Sequence, residues 1–258
     1  MDFLDALILG ILQGITEFLP VSSSGHLVLG QKLLGINVPG NAFEVILHIG
    51  TLMSILVVFW PDIHRLLSDI KDYHTRTYIF TLLLGTTPAI IVGLSLKDQI
   101  ALMFDNAHSV ALALIVTGII LISSKWFLNK KSDLTLVKGF SIGLAQALAI
   151  IPGISRSGAT ICTGLMMGLS AEEAARFSFL LAIPAIAGAG ILTAMDIDKI
   201  SLGMDVMAVG LLSSFLVGWA ALKWLLNLLK TGKFHWFGIY CCLLYTSPSP
   251  RDGLLSRM

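Results

Sequence analysis

Two short stretches carry the side-chain types needed to hold and attack a charged oxyanion. The first reads Gln13-Gly14-Ile15-Thr16-Glu17-Phe18-Leu19-Pro20-Val21-Ser22-Ser23-Ser24-Gly25-His26, the second Pro152-Gly153-Ile154-Ser155-Arg156-Ser157-Gly158-Ala159-Thr160. In the second, a guanidinium that can grip phosphate through two parallel N–H bonds stands among hydroxyls and glycines. The hydroxyls add donors, and the glycines let backbone N–H groups come close to an anion at a helix start. The first stretch adds a carboxylate and an imidazole. Gln13 and Glu17 are four residues apart and share a helix face. Ser22, Ser23 and Ser24 are expected to cap a helix starting near Gly25, leaving N–H groups aimed at an anion. His26 then falls in the first turn of that helix. A histidine within reach of a hydroxyl and a carboxylate acts as general base or nucleophile, and Arg156 offsets charge on a moving phosphoryl group. The reaction class these residues suggest is phosphoryl transfer.

The elements that must position them are membrane helices. The chain has 258 residues, 55% hydrophobic and only 13% charged, and a mean hydropathy of +0.86; soluble domains carry about 25% charged residues. Apolar runs over 43–60, 77–96, 110–127, 177–195 and 206–229 each approach the roughly 20 residues that a spanning helix needs. A net charge of +1 gives no sign of a nucleic-acid partner. The three cysteines, Cys162, Cys241 and Cys242, have neither disulfide-framework nor zinc spacing. No basic leader precedes the first apolar stretch, so the N-terminus is expected to stay in place.

Two further apolar segments, 3–34 and 137–169, are interrupted midway by the Pro/Gly/Ser clusters at 20–25 and 152–158. Broken backbone at membrane depth survives only where it is buried in protein or lines a cavity, so each segment reads as a re-entrant helix pair. Basic residues fall in alternate loops: Arg65, Lys71 and Arg76; Lys125, Lys130, Lys131 and Lys138; Lys223, Lys230 and Lys233. Placing these loops in the cytoplasm makes the two broken segments enter from opposite faces. A shift of 133 residues superposes Gln13 on Gln146, Ser22 on Ser155, Ser24 on Ser157 and Gly25 on Gly158. Duplication with opposite entry is the pattern of an inverted-topology repeat whose helix ends meet around one bound group. The expected architecture is an all-α integral membrane protein with two re-entrant pairs and about six transmembrane helices. It forms one domain over 1–245, with halves of about 1–127 and 128–245.

With these motifs the chain resembles the undecaprenyl-diphosphatases of the bacitracin-resistance type. The resemblance rests on the pattern from Gln13 through Phe18-Leu19-Pro20-Val21-Ser22-Ser23 to Gly25-His26, on Pro152 to Thr160, and on Phe43-Glu44-Val45, Pro88-Ala89 and 177–181. It covers about 1–240. It implies hydrolysis of undecaprenyl diphosphate to the monophosphate and inorganic phosphate, recycling the lipid carrier for peptidoglycan and conferring bacitracin resistance. The setting implied is a bacterial inner membrane with the site facing outward. By resemblance, Glu17, Ser23, His26 and Arg156 are the catalytic positions, with Gln13, Ser22, Ser24, Gly25, Ser155, Ser157, Gly158 and Thr160 around the substrate. Ser23 or a water attacks, His26 takes the proton or attacks directly, Glu17 orients His26 or a divalent cation, and Arg156 clamps the diphosphate. A Mg²⁺ or Ca²⁺ requirement and a homodimer are family expectations. Gln13, where many relatives carry glutamate, is left a hydrogen-bonding role.

Simpler readings compete at several positions. Serine and glycine commonly serve close helix packing, which competes with a functional role at Ser22, Ser141 and Gly143. An intramembrane arginine is expensive, so Arg156 is functional by default. Glu44 and His48, four residues apart, could form a metal-binding or site-supporting pair, but no third ligand is spaced with them, and an interfacial hydrogen-bond pair is the favoured reading for His48. Glu172 and Glu173 complement a helix dipole, and Trp60, Trp126 and Trp236 read as interfacial anchors. The last transmembrane helix is expected to be truncated or replaced: only 12 residues run from Phe234 to Tyr245, too few to span, and the polar, proline-broken 246–258 that follows looks foreign to the family. The competing function is an inverted-repeat transporter or flippase for a phosphate-bearing lipid or solute; Glu17 and His26 beside Ser23 argue against it.

Overall fold

A computed structural model describes residues 1–36, 42–96, 99, 103, 107–127, 132–194 and 203–246. Two helix-break-helix hairpins sit inside a set of longer helices. The first hairpin is α1 (Phe3–Phe18) and α2 (Ser23–Leu34), followed by α3 (Ala42–Val58), α4 (Trp60–Ser68), α5 (Tyr73–Ser95) and α6 (Ala107–Ser123). The second is α7 (Leu136–Leu148) and α8 (Arg156–Met166), followed by α9 (Ala171–Ala194), α10 (Met204–Lys230) and α11 (Trp236–Thr246). Helices occupy most of the described part of each of the five apolar runs. Helices α5, α9 and α10 are each long and apolar enough to cross a membrane, and α3 with α4 adds a fourth candidate bent by 67°. No strand occurs among the described residues.

That bend corrects one expectation. Arg65 does not lie in a loop; it is on α4, an amphipathic helix whose first turn holds Pro61. A proline lacks the N–H of an interior helical bond but fits the first turn, so the chain turns there and resumes as helix.

The two hairpins pack in matching ways. Helix α1 lies along α10 of the other half, and α7 lies along α5, so each hairpin is gripped by the long helix of the opposite repeat. Small residues permit the approach: a Cβ on Gly14 would come within 2.8 Å of the Gly218 nitrogen and 2.9 Å of the Ser214 carbonyl. Between lipid-embedded helices, where apolar burial gives no net drive, such backbone contact supplies the packing. Phe18 at the end of α1 meets Phe179 of α9 edge-on at 5.7 Å, in a core that also buries Ile142, Phe177 and Leu222. On the basic-loop side, Arg176 binds Asp62 and Glu173, each at 3.1 Å, which ties α9 to α4. Trp60, Trp126 and Trp236 are all exposed, as anchors require.

Candidate active site

The first break begins where α1 ends at Phe18 and closes at Ser22, the N-cap of α2. Ser22 has φ +66°, the only non-glycine in the left-handed region among the described residues. Such a conformation costs about 1–3 kcal/mol and persists only where its surroundings hold it. Helix α2 starts at Ser23, two residues before the expected start, and the capping differs from expectation. The Ser22 side chain makes no cap bond; its hydroxyl pairs with that of Ser24 at 3.3 Å. The next residue, Ser23, turns its hydroxyl to Glu17.

The second break is capped conventionally. Ser155 accepts from the Gly158 N–H at 3.2 Å and shares a hydrogen bond with the Ser157 hydroxyl at 3.2 Å. Thr160 donates to the Arg156 carbonyl at 2.8 Å, inside α8. Thr117 of α6 buttresses the loop, donating to the Gly153 carbonyl at 3.0 Å and accepting from the Ser155 N–H at 3.1 Å. Gly153 has φ +94°, and a Cβ there would stand 2.8 Å from that of Ala113, so this turn needs glycine.

The two breaks meet. Ser157 donates to the Leu19 carbonyl at 3.3 Å, and Arg156 pairs with Oε1 of Glu17 across 139 positions of sequence. The other carboxylate oxygen of Glu17 accepts from the Ser23 hydroxyl at 2.6 Å and from Nε2 of Gln13 at 3.0 Å. At 2.6 Å the serine contact has the length of a charge-assisted O–H···O⁻ bond. Glu17 is almost wholly buried, so its charge is balanced inside the protein by Arg156. The guanidinium keeps further N–H donors for an incoming anion.

Sequence reasoning favoured an interfacial role for His48. Its Nε2 lies 3.5 Å from Oε2 of Glu17, while its Nδ1 donates to the Glu44 carbonyl at 2.7 Å. The Glu44 carboxylate is occupied elsewhere, accepting from Gln31 at 3.2 Å, so the expected interfacial pair is replaced by a contact with the site. The i, i+4 spacing of Glu44 and His48 was the available signal; their nearness to Glu17 was not readable from it. The His26 ring makes its hydrogen bonds with other partners. Its Nδ1 donates to the Ser22 carbonyl at 2.9 Å and its Nε2 pairs with the Tyr240 hydroxyl at 3.0 Å.

A metal cage is not formed by these residues. No group of three or more His, Cys, Asp or Glu side chains among the described residues is placed to hold a metal ion. Both oxygens of Glu17 already accept hydrogen bonds. One acceptor is left over: Oε1 of Gln13, buried and without a protein partner.

Residues 6–246 match the family described as bacitracin resistance protein BacA. The chain belongs to this family. Among its relatives, a protein of Methanosphaera stadtmanae named undecaprenyl-diphosphatase is 40% identical over 95% of this chain and 96% of its own length. Proteins of the same name from Desulfosudis oleivorans and Parabacteroides distasonis are 40% and 38% identical, covering 95% and 94% of this chain and 96% of each relative. Both breaks lie within the matched span. Family membership and the apolar helices make this a multi-pass membrane protein.

Proposed function

We infer that this chain is a membrane phosphatase that hydrolyses undecaprenyl diphosphate to undecaprenyl phosphate and inorganic phosphate. The observation that carries the reading is the Ser23 hydroxyl held 2.6 Å from a buried carboxylate whose other oxygen is paired with Arg156. A nucleophile, a proton acceptor and a cation for the developing phosphoryl charge thus share one point where two helix N-termini converge. The relatives' shared name identifies the substrate, and the family's name gives the physiological role, bacitracin resistance.

In the first step Ser23 Oγ attacks the terminal phosphorus and its proton passes to Glu17. The bond from phosphorus to the bridging oxygen breaks, and undecaprenyl phosphate leaves with that electron pair. Arg156 binds the phosphoryl oxygens throughout. In the second step water attacks the phosphoserine and gives its proton to Nε2 of His48, from which it passes to solvent, while the phosphorus–Oγ bond breaks and Glu17 returns to Ser23 the proton it took in the first step. Oε1 of Gln13 is the acceptor available to orient that water. Ser22, Ser24, Gly25, Ser155, Ser157, Gly158 and Thr160 shape and stiffen the two helix starts around the diphosphate. Mg²⁺ or Ca²⁺ fits this reading as counter-charge carried in on the diphosphate oxygens, not as a protein-held ion. The setting is the inner membrane of a bacterium, with the site opening outward and the basic loops in the cytoplasm.

The test is phosphate release from C55 prenyl diphosphate by the purified protein in detergent with Mg²⁺ or Ca²⁺. Release abolished in Ser23→Ala and Arg156→Ala supports the assignment. Folded protein that binds the lipid and releases no phosphate with either cation refutes it.

A further inference from the structure

The last helix reaches into the first break at two consecutive residues. Tyr240 of α11 meets His26, and the Cys241 thiol donates to the Pro20 carbonyl at 3.6 Å. Trp236, Phe237 and Tyr240 also face Ile15, Leu19 and Val21 across an apolar groove of about 320 Å³. The first re-entrant hairpin is therefore braced by an element more than 200 positions away, and side-chain hydrogen bonds of Tyr240 and Cys241 run through that brace.

The hydrogen-bond roles at His26 follow from chemistry. The Ser22 carbonyl can only accept, so Nδ1 of His26, at 2.9 Å, carries a hydrogen. In the neutral ring Nε2 is then an acceptor, and the Tyr240 O–H, at 3.0 Å, is its donor. The two rings stack with centroids 6.0 Å apart and planes 14° from parallel. The same Ser22 carbonyl takes the His26 backbone N–H at 3.3 Å. His26 thus holds, by two bonds, the carbonyl of the one left-handed serine. The next residue, Ser23, delivers its hydroxyl to Glu17.

We propose that Tyr240 is a positioning residue of the reactive centre: its hydroxyl fixes the orientation and tautomer of His26, and His26 in turn holds the Ser22 turn that aims Ser23 at Glu17. In this arrangement His26 acts through Ser22 and does not take the proton of Ser23. The kinetic half of the proposal rests on the phosphatase reading; the structural half does not.

The test uses the full-length protein in detergent, labelled with ¹⁵N-histidine, with the His26 signal assigned by its loss in His26→Asn. At neutral pH the His26 ring is expected to be neutral, protonated on Nδ1, with Nε2 in an accepting hydrogen bond. Tyr240→Phe keeps the ring in its stack and removes only the hydroxyl. The Nε2 resonance should move to that of an unbonded nitrogen, and kcat should fall about tenfold, the equivalent of one lost hydrogen bond, with KM unchanged. An Nε2–H tautomer or an imidazolium in the unmodified protein overturns the proposal. So does a Tyr240→Phe enzyme with unchanged kcat, or one altered in KM alone, which would place Tyr240 on the lipid chain. If the unmodified protein releases no phosphate, the phosphatase reading fails on its own account. The nitrogen spectra of the two proteins then support or overturn the Tyr240–His26–Ser22 linkage directly.

Discussion

Replacing Glu17 by glutamine isolates the role of its charge with almost no change of shape. Oε2 of Glu17 accepts from Ser23 at 2.6 Å and Gln13 at 3.0 Å, and Oε1 accepts from Arg156. A glutamine puts an NH₂ where one of these oxygens was, so either Ser23 or Arg156 faces another donor, and the carboxylate that takes the serine proton is gone. A positioned general base contributes about 10²–10⁴ in rate, or roughly 3–5 kcal/mol of barrier at 1.36 kcal/mol per decade. The expected result is a kcat lowered by that factor, with KM for the diphosphate no higher, because Arg156 is released to bind the anion. Glu17→Asp should fall in the same range: one methylene less withdraws the carboxylate by about 1.5 Å, beyond hydrogen-bond reach of Ser23. Loss of one partner of a buried ion pair also destabilises the fold by about 3–5 kcal/mol, so kcat is measured well below the melting temperatures of both proteins. Phosphate release by Glu17→Gln within about threefold of the unmodified rate, with Ser23→Ala inactive, would refute proton transfer to Glu17.

Other expectations follow from the same geometry. Arg156→Lys keeps the charge but loses the planar fork, so KM for the diphosphate should rise about ten- to a hundredfold in a steady-state assay, with kcat less affected. His48→Asn retains a donor near the Glu44 carbonyl but removes the nitrogen 3.5 Å from Glu17; a several-fold fall in kcat with unchanged KM is expected, and an unchanged kcat would remove His48 from the site. Gly14→Val drives a side chain into the Gly218 and Ser214 backbone, which cannot yield as a side chain would. The destabilisation should be about 1–3 kcal/mol, read as a lower melting temperature in detergent. Asp62→Asn weakens the half-exposed Arg176 cluster by less than about 1 kcal/mol and should leave phosphate release intact.

Much of the frame was legible because its causes are local. Proline, glycine and serine interrupt apolar runs at 20–25 and 152–158, and the helices stop and restart there. What stayed hidden depends on distance or on single dihedral angles. The serine cluster looked like a cap for α2, but the +66° φ of Ser22 turns its side chain toward Ser24 and leaves capping to none of the three. His26 sits three residues after Ser23, close enough to suggest a catalytic pair. The α2 backbone instead carries its ring to the Ser22 carbonyl and Tyr240, while His48, from a different helix, fills the space beside Glu17. Spacing along one helix reports which residues share a face; which helix lies opposite is decided by packing.

Duplication explains why the site holds both a nucleophile and its cation. The shift that superposes Ser22 on Ser155 and Ser24 on Ser157 also places Ser23 on Arg156 and Glu17 on Ile150. The conserved geometry of the two halves brings matching helix starts face to face, with each hairpin held by the long helix of the other repeat. The chemistry lies in the positions where the halves differ. Ser23 and Arg156, related by the repeat, approach the same carboxylate from opposite breaks. A symmetric site with two serines would have no charge to stabilise a phosphoryl group, and one with two arginines no nucleophile. Exchange of the two, Ser23→Arg with Arg156→Ser, preserves composition and approximate packing yet moves the nucleophile to the capped, conventionally wound break. There Ser155 and Thr117 hold the backbone, in place of the Tyr240–His26 contact of the first break. The double variant should fold and bind diphosphate but release no phosphate; measurable turnover would show that the asymmetric brace around Ser22 is dispensable.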